Sequence, residues 1–79
     1  MKRIETVQPK DDFTLLLTFT GGKKGIFDMK PYLNKGSVFK EINNPVSFQG
    51  VRVNHGTIEW PNGADLCPDC VYLETKMLK

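Results

Sequence analysis

Apolar residues at Phe13, Leu15, Leu17 and Phe19 alternate with Thr14, Thr18 and Thr20. This period of two predicts a strand over residues 13–20 with one buried face and one mostly wet face. Gly21-Gly22 comes next, a pair suited to the positive φ of a tight hairpin turn, and residues 23–27 read as the returning strand. Ahead of the central strand, residues 2–7 read as another, closed by Pro9, which has no N–H for a ladder and opens the turn Pro9-Lys10-Asp11-Asp12. A three-stranded meander is therefore expected.

Asp28 is placed to cap a short helical segment through residue 33, with Pro31 tolerable in its first turn and Asn34-Lys35-Gly36 at its end. Ser37 reads as the cap of a second short helix, whose Val38, Phe39 and Ile42 make one apolar stripe for the buried face of the sheet. Asn43-Asn44-Pro45 stops that helix, and Phe48 reads as a core anchor. Strands over residues 51–53 and 57–60 flank the turn group Asn54-His55-Gly56, giving a second hairpin. Pro61-Asn62-Gly63 is a further turn. Beyond it, Asp65 is expected to cap a helix containing residues 68–74, with Asp69 near its positive end and Val71, Tyr72 and Leu73 as its apolar contacts. The expectation is one α+β domain over residues 1–79, a small antiparallel sheet of about five strands in two hairpin or meander units, with short helices packed on one face. No internal repeat, low-complexity tract or dividing linker interrupts it.

Composition narrows this picture only a little. A chain of 79 residues buries about 60 to 65 % of its unfolded surface, so its stability margin is thin. With 39 % hydrophobic and 25 % charged residues it does not read as disordered. The net charge of +2 is too small to imply a nucleic-acid partner, yet it is unevenly spread. Residues 1–40 carry eight Lys and Arg against four Asp and Glu, and residues 41–79 carry three against five. Such polarity can orient a partner or a second copy of the chain, although keeping exposed strands soluble is the plainer account. No apolar run approaches the roughly 20 residues of a membrane span, and residues 1–5 lack the apolar segment of a signal peptide. A cytoplasmic protein without membrane contact is expected, and in that reducing compartment its two cysteines are not expected to form a structural disulfide.

Candidate chemistry is sparse. Gly21-Gly22-Lys23-Lys24 lacks the spacing and following helix of a phosphate loop. His55, alone at a turn with no evident partner, reads as a solvated loop residue rather than a base or ligand. Asp28 and Asp65 are better helix caps than acid/base groups, and Trp60 reads as core. Lys2, Arg3, Lys10, Lys23 and Lys24 lie in or beside the first strands, but the helices are short and not basic, so direct nucleic-acid recognition is not expected.

Cys67-Pro68-Asp69-Cys70 has redox-motif spacing, and a thiol near a helix N-terminus has its thiolate stabilised. The two hairpins contradict a thioredoxin-like strand-helix-strand setting, and the charges of Asp65 and Asp69 oppose the thiolate. As metal ligands, Cys67 and Cys70 with the distant His55 make three at most, so a four-thiolate zinc site would need two chains. No complete catalytic or cofactor-binding constellation is visible, and no cofactor is expected.

One further pattern runs along the chain: Val7-x-Pro9, Leu15-x-Leu17-x-Phe19, Phe27-Asp28, Val38-Phe39, Phe48, Val53, Gly56-Thr57-Ile58-x-Trp60-Pro61-Asn62-Gly63-Ala64-Asp65, and Pro68-Asp69 followed by Tyr72. It resembles the bacterial domain-of-unknown-function family 2442, most specifically in Trp60-Pro61-Asn62-Gly63-Ala64-Asp65. Cys67 and Cys70 depart from the family's usual residues on either side of Pro68-Asp69. The resemblance implies a small α+β fold similar to the N-terminal domain of a larger helix-turn-helix protein. It also implies a bacterial origin and gene arrangements that look like toxin–antitoxin pairs, a hint by analogy only.

The function this favours is a non-catalytic protein-interaction or regulatory module, the antitoxin-like member of such a pair. Its partner would be the toxin-like neighbour or a second copy of the chain, met at a sheet edge or at Trp60, Asn62 and Asp65. The alternatives are a transcription-associated module linked to DNA binding, and thiol redox or zinc chemistry at Cys67 and Cys70.

Overall fold

A computed structural model describes residues 3–78, so Met1, Lys2 and Lys79 lie outside the described residues, and with them the start of the first expected strand and the basic Lys2. The fold is α+β. Its first sheet contains β1 (Ile4–Pro9), β2 (Thr14–Phe19), β3 (Lys24–Asp28) and β7 (Lys76–Met77), antiparallel in the order β1-β2-β3-β7. A second antiparallel sheet holds β4 (Arg52–Asn54), β5 (Thr57–Glu59) and β6 (Asp65–Leu66) in that order. The expected meander and second hairpin are both present. The expected single sheet of about five strands is instead two sheets, because β6 and β7, two residues each, carry no periodic signal of their own.

The alternation in β2 does what its pattern predicts: Leu15, Leu17 and Phe19 are buried, and Leu16 and Thr18 are half-buried on the other parity. Two residues depart from it. Thr14 is buried, its hydroxyl donating to Asp12 Oδ1 at 2.6 Å. Phe13, expected on the buried face of the strand, lies before it with φ 62, an unfavourable conformation for a bulky side chain. Its N–H donates to Lys10 O at 3.3 Å, closing the β1–β2 turn, and its ring packs edge-on against Phe48 at 5.1 Å. Local alternation cannot register a neighbour thirty-five residues away.

Between the sheets the chain makes short helical turns. Asp28 accepts the Lys30 N–H at 2.9 Å, but the N-cap is Met29 rather than Asp28, and the helical segment is a single 3-10 turn, Lys30–Tyr32. Helix α1 (Ser37–Lys40) is capped by Gly36 at φ 97 with no side-chain hydrogen bond, so Ser37 is its first residue and not its cap. Of the expected stripe, Ile42 is buried, Phe39 half-buried and Val38 exposed. Asn44-Pro45 ends one helical segment and begins another. In α2 (Pro45–Phe48) the Asn44 side chain accepts the Ser47 N–H at 2.9 Å, and Pro45 fills the first turn, where a missing N–H costs nothing.

The second hairpin turns on His55 (φ 53) and Gly56 (φ 79), the pair of positive angles of a type I′ turn. Gly56 is buried and its carbonyl accepts the Ile4 N–H at 2.9 Å, which fastens β1 to the tip of this hairpin. A Cβ on Gly56 would meet only the mobile end of the exposed Arg3 side chain, so it is the positive φ that calls for glycine here.

Helix α3 (Pro68–Glu74) spans the expected residues. Its N-cap is Cys67, while Asp65 lies in β6 opposite Glu59, so the expected capping role of Asp65 is wrong. Val71 is buried and Tyr72 meets Phe19 edge-on at 5.1 Å, but Leu73, expected to pack, is exposed. Thr75 closes the helix by donating to Val71 O at 2.6 Å, and the chain then returns to β3 as β7. Leu33, Ile42, Phe48 and Val71 join the sheet residues Ile4, Leu15, Leu17, Phe19, Phe27 and Ile58, with Trp60, in one core. Among the described residues no helix is long and apolar enough to cross a membrane.

Candidate functional site

The run from Trp60 to Asp65 connects β5 to β6. Trp60 N–H donates to Ala64 O at 2.8 Å and Gly63 N–H donates to Trp60 O at 3.0 Å, leaving Pro61, Asn62 and Gly63 as a three-residue loop. Pro61 presets the first turn angle, Asn62 keeps a negative φ, and Gly63 takes φ 94 as the left-handed residue that rejoins the ladder.

Trp60 is 1 % exposed. Its ring packs on Phe48 at 5.9 Å, and its Nε1–H donates to Phe48 O at 3.0 Å. It is a core residue, so its expected alternative as a partner contact is removed. Asn62 is exposed, but its side chain is fully engaged. Oδ1 accepts the Ala64 N–H at 3.1 Å, and Nδ2 donates to Val38 O at 2.9 Å and to Glu41 Oε1 at 2.8 Å. It latches the loop onto α1. Asp65 is exposed on β6, an edge strand of the second sheet, and of the three residues expected to meet a partner it has the freest side chain.

The latch frames a groove of 420 Å³ lined by Glu41, Ile42, Val46, Ser47, Gly50, Pro61 and Asn62. Gly50 lies close beside Pro61, where a Cβ would come within 3.3 Å of Pro61 Cδ and press on the groove's lining. Val46 stands on its rim, 85 % exposed. None of the groove residues except Asn62 was marked by the sequence as functional. The available signal was Asn44-Pro45, which starts a helical turn whose second residue, Val46, has no element in sequence to cover it.

The remaining polar groups divide between pairs. Glu59 takes Asn54 Nδ2 at 2.8 Å and Arg52 Nη2 at 3.0 Å, and these bonds hold its carboxyl below the usual range. The Lys30 amide does the same for Asp28, and the Thr14 hydroxyl for Asp12. Tyr32 donates to Glu74 at 2.5 Å, which ties the 3-10 turn to α3 and pushes the phenol up to about 12. His55 is exposed in its turn, where the sequence put it.

Cys67 and Cys70 are both exposed and unbridged. The backbone amides of Cys70 and Asp69 draw the Cys67 thiol below the ordinary value and the charge of Asp69 acts the other way, although Cys67 makes no side-chain capping hydrogen bond. Asp65 takes no part in this, so the expected opposition to a thiolate is weaker than the sequence suggested. The Cys70 thiol, hydrogen-bonded to Cys67, is pushed up. Among the described residues no three His, Cys, Asp or Glu side chains converge on a point where a metal would sit.

The model of a family described as protein of unknown function (DUF2442) matches residues 4–76. No curated protein and no solved structure matches the chain.

Proposed function

The chain belongs to the DUF2442 family of proteins of unknown function, and on that premise we propose that it is a non-catalytic protein-interaction or regulatory module. In this reading it is the antitoxin-like member of a bacterial toxin–antitoxin pair, acts in the cytoplasm and docks on its toxin-like neighbour. One observation carries the reading: Val46, 85 % exposed, stands over an apolar-floored groove beside the family's signature loop. An aliphatic side chain held in water next to a concave surface gains by being covered, and a partner's apolar anchor seated there would cover it. The negative half of the chain contributes Glu41 at the groove and Asp65 on the neighbouring edge strand, which suits a partner with cationic groups around its anchor.

Co-expression with the product of the adjacent gene tests this. A stable complex should co-elute on size exclusion, and Val46→Asp should weaken it at least about tenfold while leaving the circular dichroism spectrum unchanged. Absence of a complex, or an affinity indifferent to Val46→Asp, would sink the proposal.

A further inference from the structure

We propose that the open face of the first sheet is a self-association surface, on which a second copy of the chain packs face to face about a two-fold axis running along Leu16 and Ile26. The surface shares no residue with the groove at Val46, so it stands or falls apart from the docking reading.

The register of the sheet fixes what this face carries. Gln8, Leu16, Ile26 and Lys76 lie opposite one another across all four strands, so their side chains form one row on one side. Beside it, about 7 Å along the strands, runs a row of Thr6, Thr18 and Lys24. Leu78 continues that row, its N–H donating to Lys24 O at 2.8 Å. Thr14 and Asp28 make a third row on the other side of the first, which is therefore the middle one.

The helical segments lie behind the sheet. Phe19 meets Tyr72 and Phe27 meets Tyr32 on the opposite parity of β2 and β3, which puts α3 and the 3-10 turn on the buried side. Leu16 and Ile26 are half-buried and Leu78 is exposed, and none of the three belongs to the core or packs against it. Three aliphatic side chains stand together against water, a surface that gains by being covered.

The charges say what covers it. Lys24 stands on one side of the middle row, with no ion pair among the described residues, and Asp28 stands on the other. Asp12 is held at that second side by the Thr14 hydroxyl. Asp28 gives Oδ1 to the Lys30 amide and ammonium, and among the described residues its Oδ2 is open. A two-fold axis along the middle row exchanges the two sides. Lys24 of each copy then comes over Asp28 of the other, while Leu16 and Ile26 meet their own equivalents in the centre. Sheets stacked face to face sit about 10 Å apart with their strands within about 30° of each other, which is the spacing such side chains fill. Lys76 alone meets its like, at the exposed outer end of the row, where solvent screens the pair. A nucleic-acid strand fits less well, because the rows offer no aromatic ring for a base to stack on and Asp28 and Asp12 oppose its phosphates. The face is only four strands wide and three rows deep, so the dimer is a weak one, with a Kd of about 1 μM or above.

Sedimentation equilibrium of the full chain, from micromolar to millimolar concentration under reducing conditions, should show a monomer–dimer equilibrium. On dilution, amide NMR shifts should move at residues 16, 18, 24 and 26 and stay still at residues 41–50, a readout that needs no variant to fold. Lys24→Glu sets two carboxylates together and should weaken association at least about tenfold, and adding Asp28→Lys in the same chain should restore it, since the swapped pair is again complementary. Ile26→Thr keeps a β-branched residue in the strand and should weaken the dimer as well. Val46→Asp should leave it unchanged, which separates this result from the fate of the groove. A chain still monomeric at millimolar concentration, a dimer whose moving amides lie off this face, or no recovery in the double variant would overturn the proposal. So would face amides that move only when the product of the adjacent gene is added, since the face would then belong to that partner.

Discussion

The indole of Trp60 donates its N–H to the carbonyl of Phe48 at 3.0 Å while the two rings pack 5.9 Å apart, tilted by 37°. The pair fastens the end of the second hairpin to α2, and Phe13 closes the same cluster from the turn before β2. An otherwise loose helical turn of four residues is thereby held to both sheets.

Replacing Trp60 should therefore cost more than burial alone. Trp60→Phe retains most of the apolar area but leaves the Phe48 carbonyl without its donor, for a loss of about 1–3 kcal/mol. Trp60→Ala adds a cavity and should cost about 3–5 kcal/mol. Urea denaturation followed by far-UV circular dichroism measures both, and a Trp60→Phe variant as stable as the native chain would show that the hydrogen bond contributes nothing.

Asn62 is expected to act on stability and on the shape of the groove. Asn62→Ala removes the two donations to α1 and the acceptor that steadies Ala64, for about 1–2 kcal/mol. Asn62→Asp keeps only the acceptor and sets a second carboxylate against Glu41, so it should not rescue the loss. Denaturation midpoints rank the three chains, and an Asp variant as stable as the native chain would refute the latch.

At Gly25 the requirement is for space, not for an unusual angle. A Cβ there would collide with Thr75 Cγ2 and lie 2.9 Å from Lys76 O, so Gly25→Ala should push β7 from the edge of β3. Amide exchange should quicken at residues 76–78 while the second sheet stays protected. Unchanged protection there would contradict the packing described.

Stability should fall on both sides of neutrality. Asp12, Asp28 and Glu59 have depressed folded pKa values, so their contribution is complete above the ordinary carboxylate range and is lost as pH falls through the folded values, below about 4. Tyr32 is shifted the other way. Its bond to Glu74 is fully present below the ordinary phenol value and is lost as pH rises through about 12. Ultraviolet titration should show that late phenol ionisation, and Tyr32→Phe should abolish it. A melting temperature flat from pH 5 to pH 3 would speak against the acid limb.

How much of this was legible in the chain follows from the range of the forces involved. Alternation in residues 15–19, the Gly21-Gly22 turn, the His55-Gly56 turn and the extent of α3 are short-range matters of pleat, φ preference and proline placement, and all are present as read. Asn44-Pro45 was equally local. It was read as a stop when it is also a start, since the same side chain accepts Ser47 N–H and donates to Glu41 O.

The signature loop shows the division most clearly. Its turn was determined by Pro61, Asn62 and Gly63 themselves, through fixed φ, side-chain hydrogen bonding and tolerance of positive φ. Whether Trp60 faced a partner or the core, whether Asn62 was free or latched, and whether Asp65 capped a helix or paired in a strand depended on Phe48, Val38, Glu41 and Glu59. These contacts cross 6 to 24 positions of sequence. No local rule carries such information, because burial and hydrogen bonding between distant segments arise only when the whole chain has closed on one core.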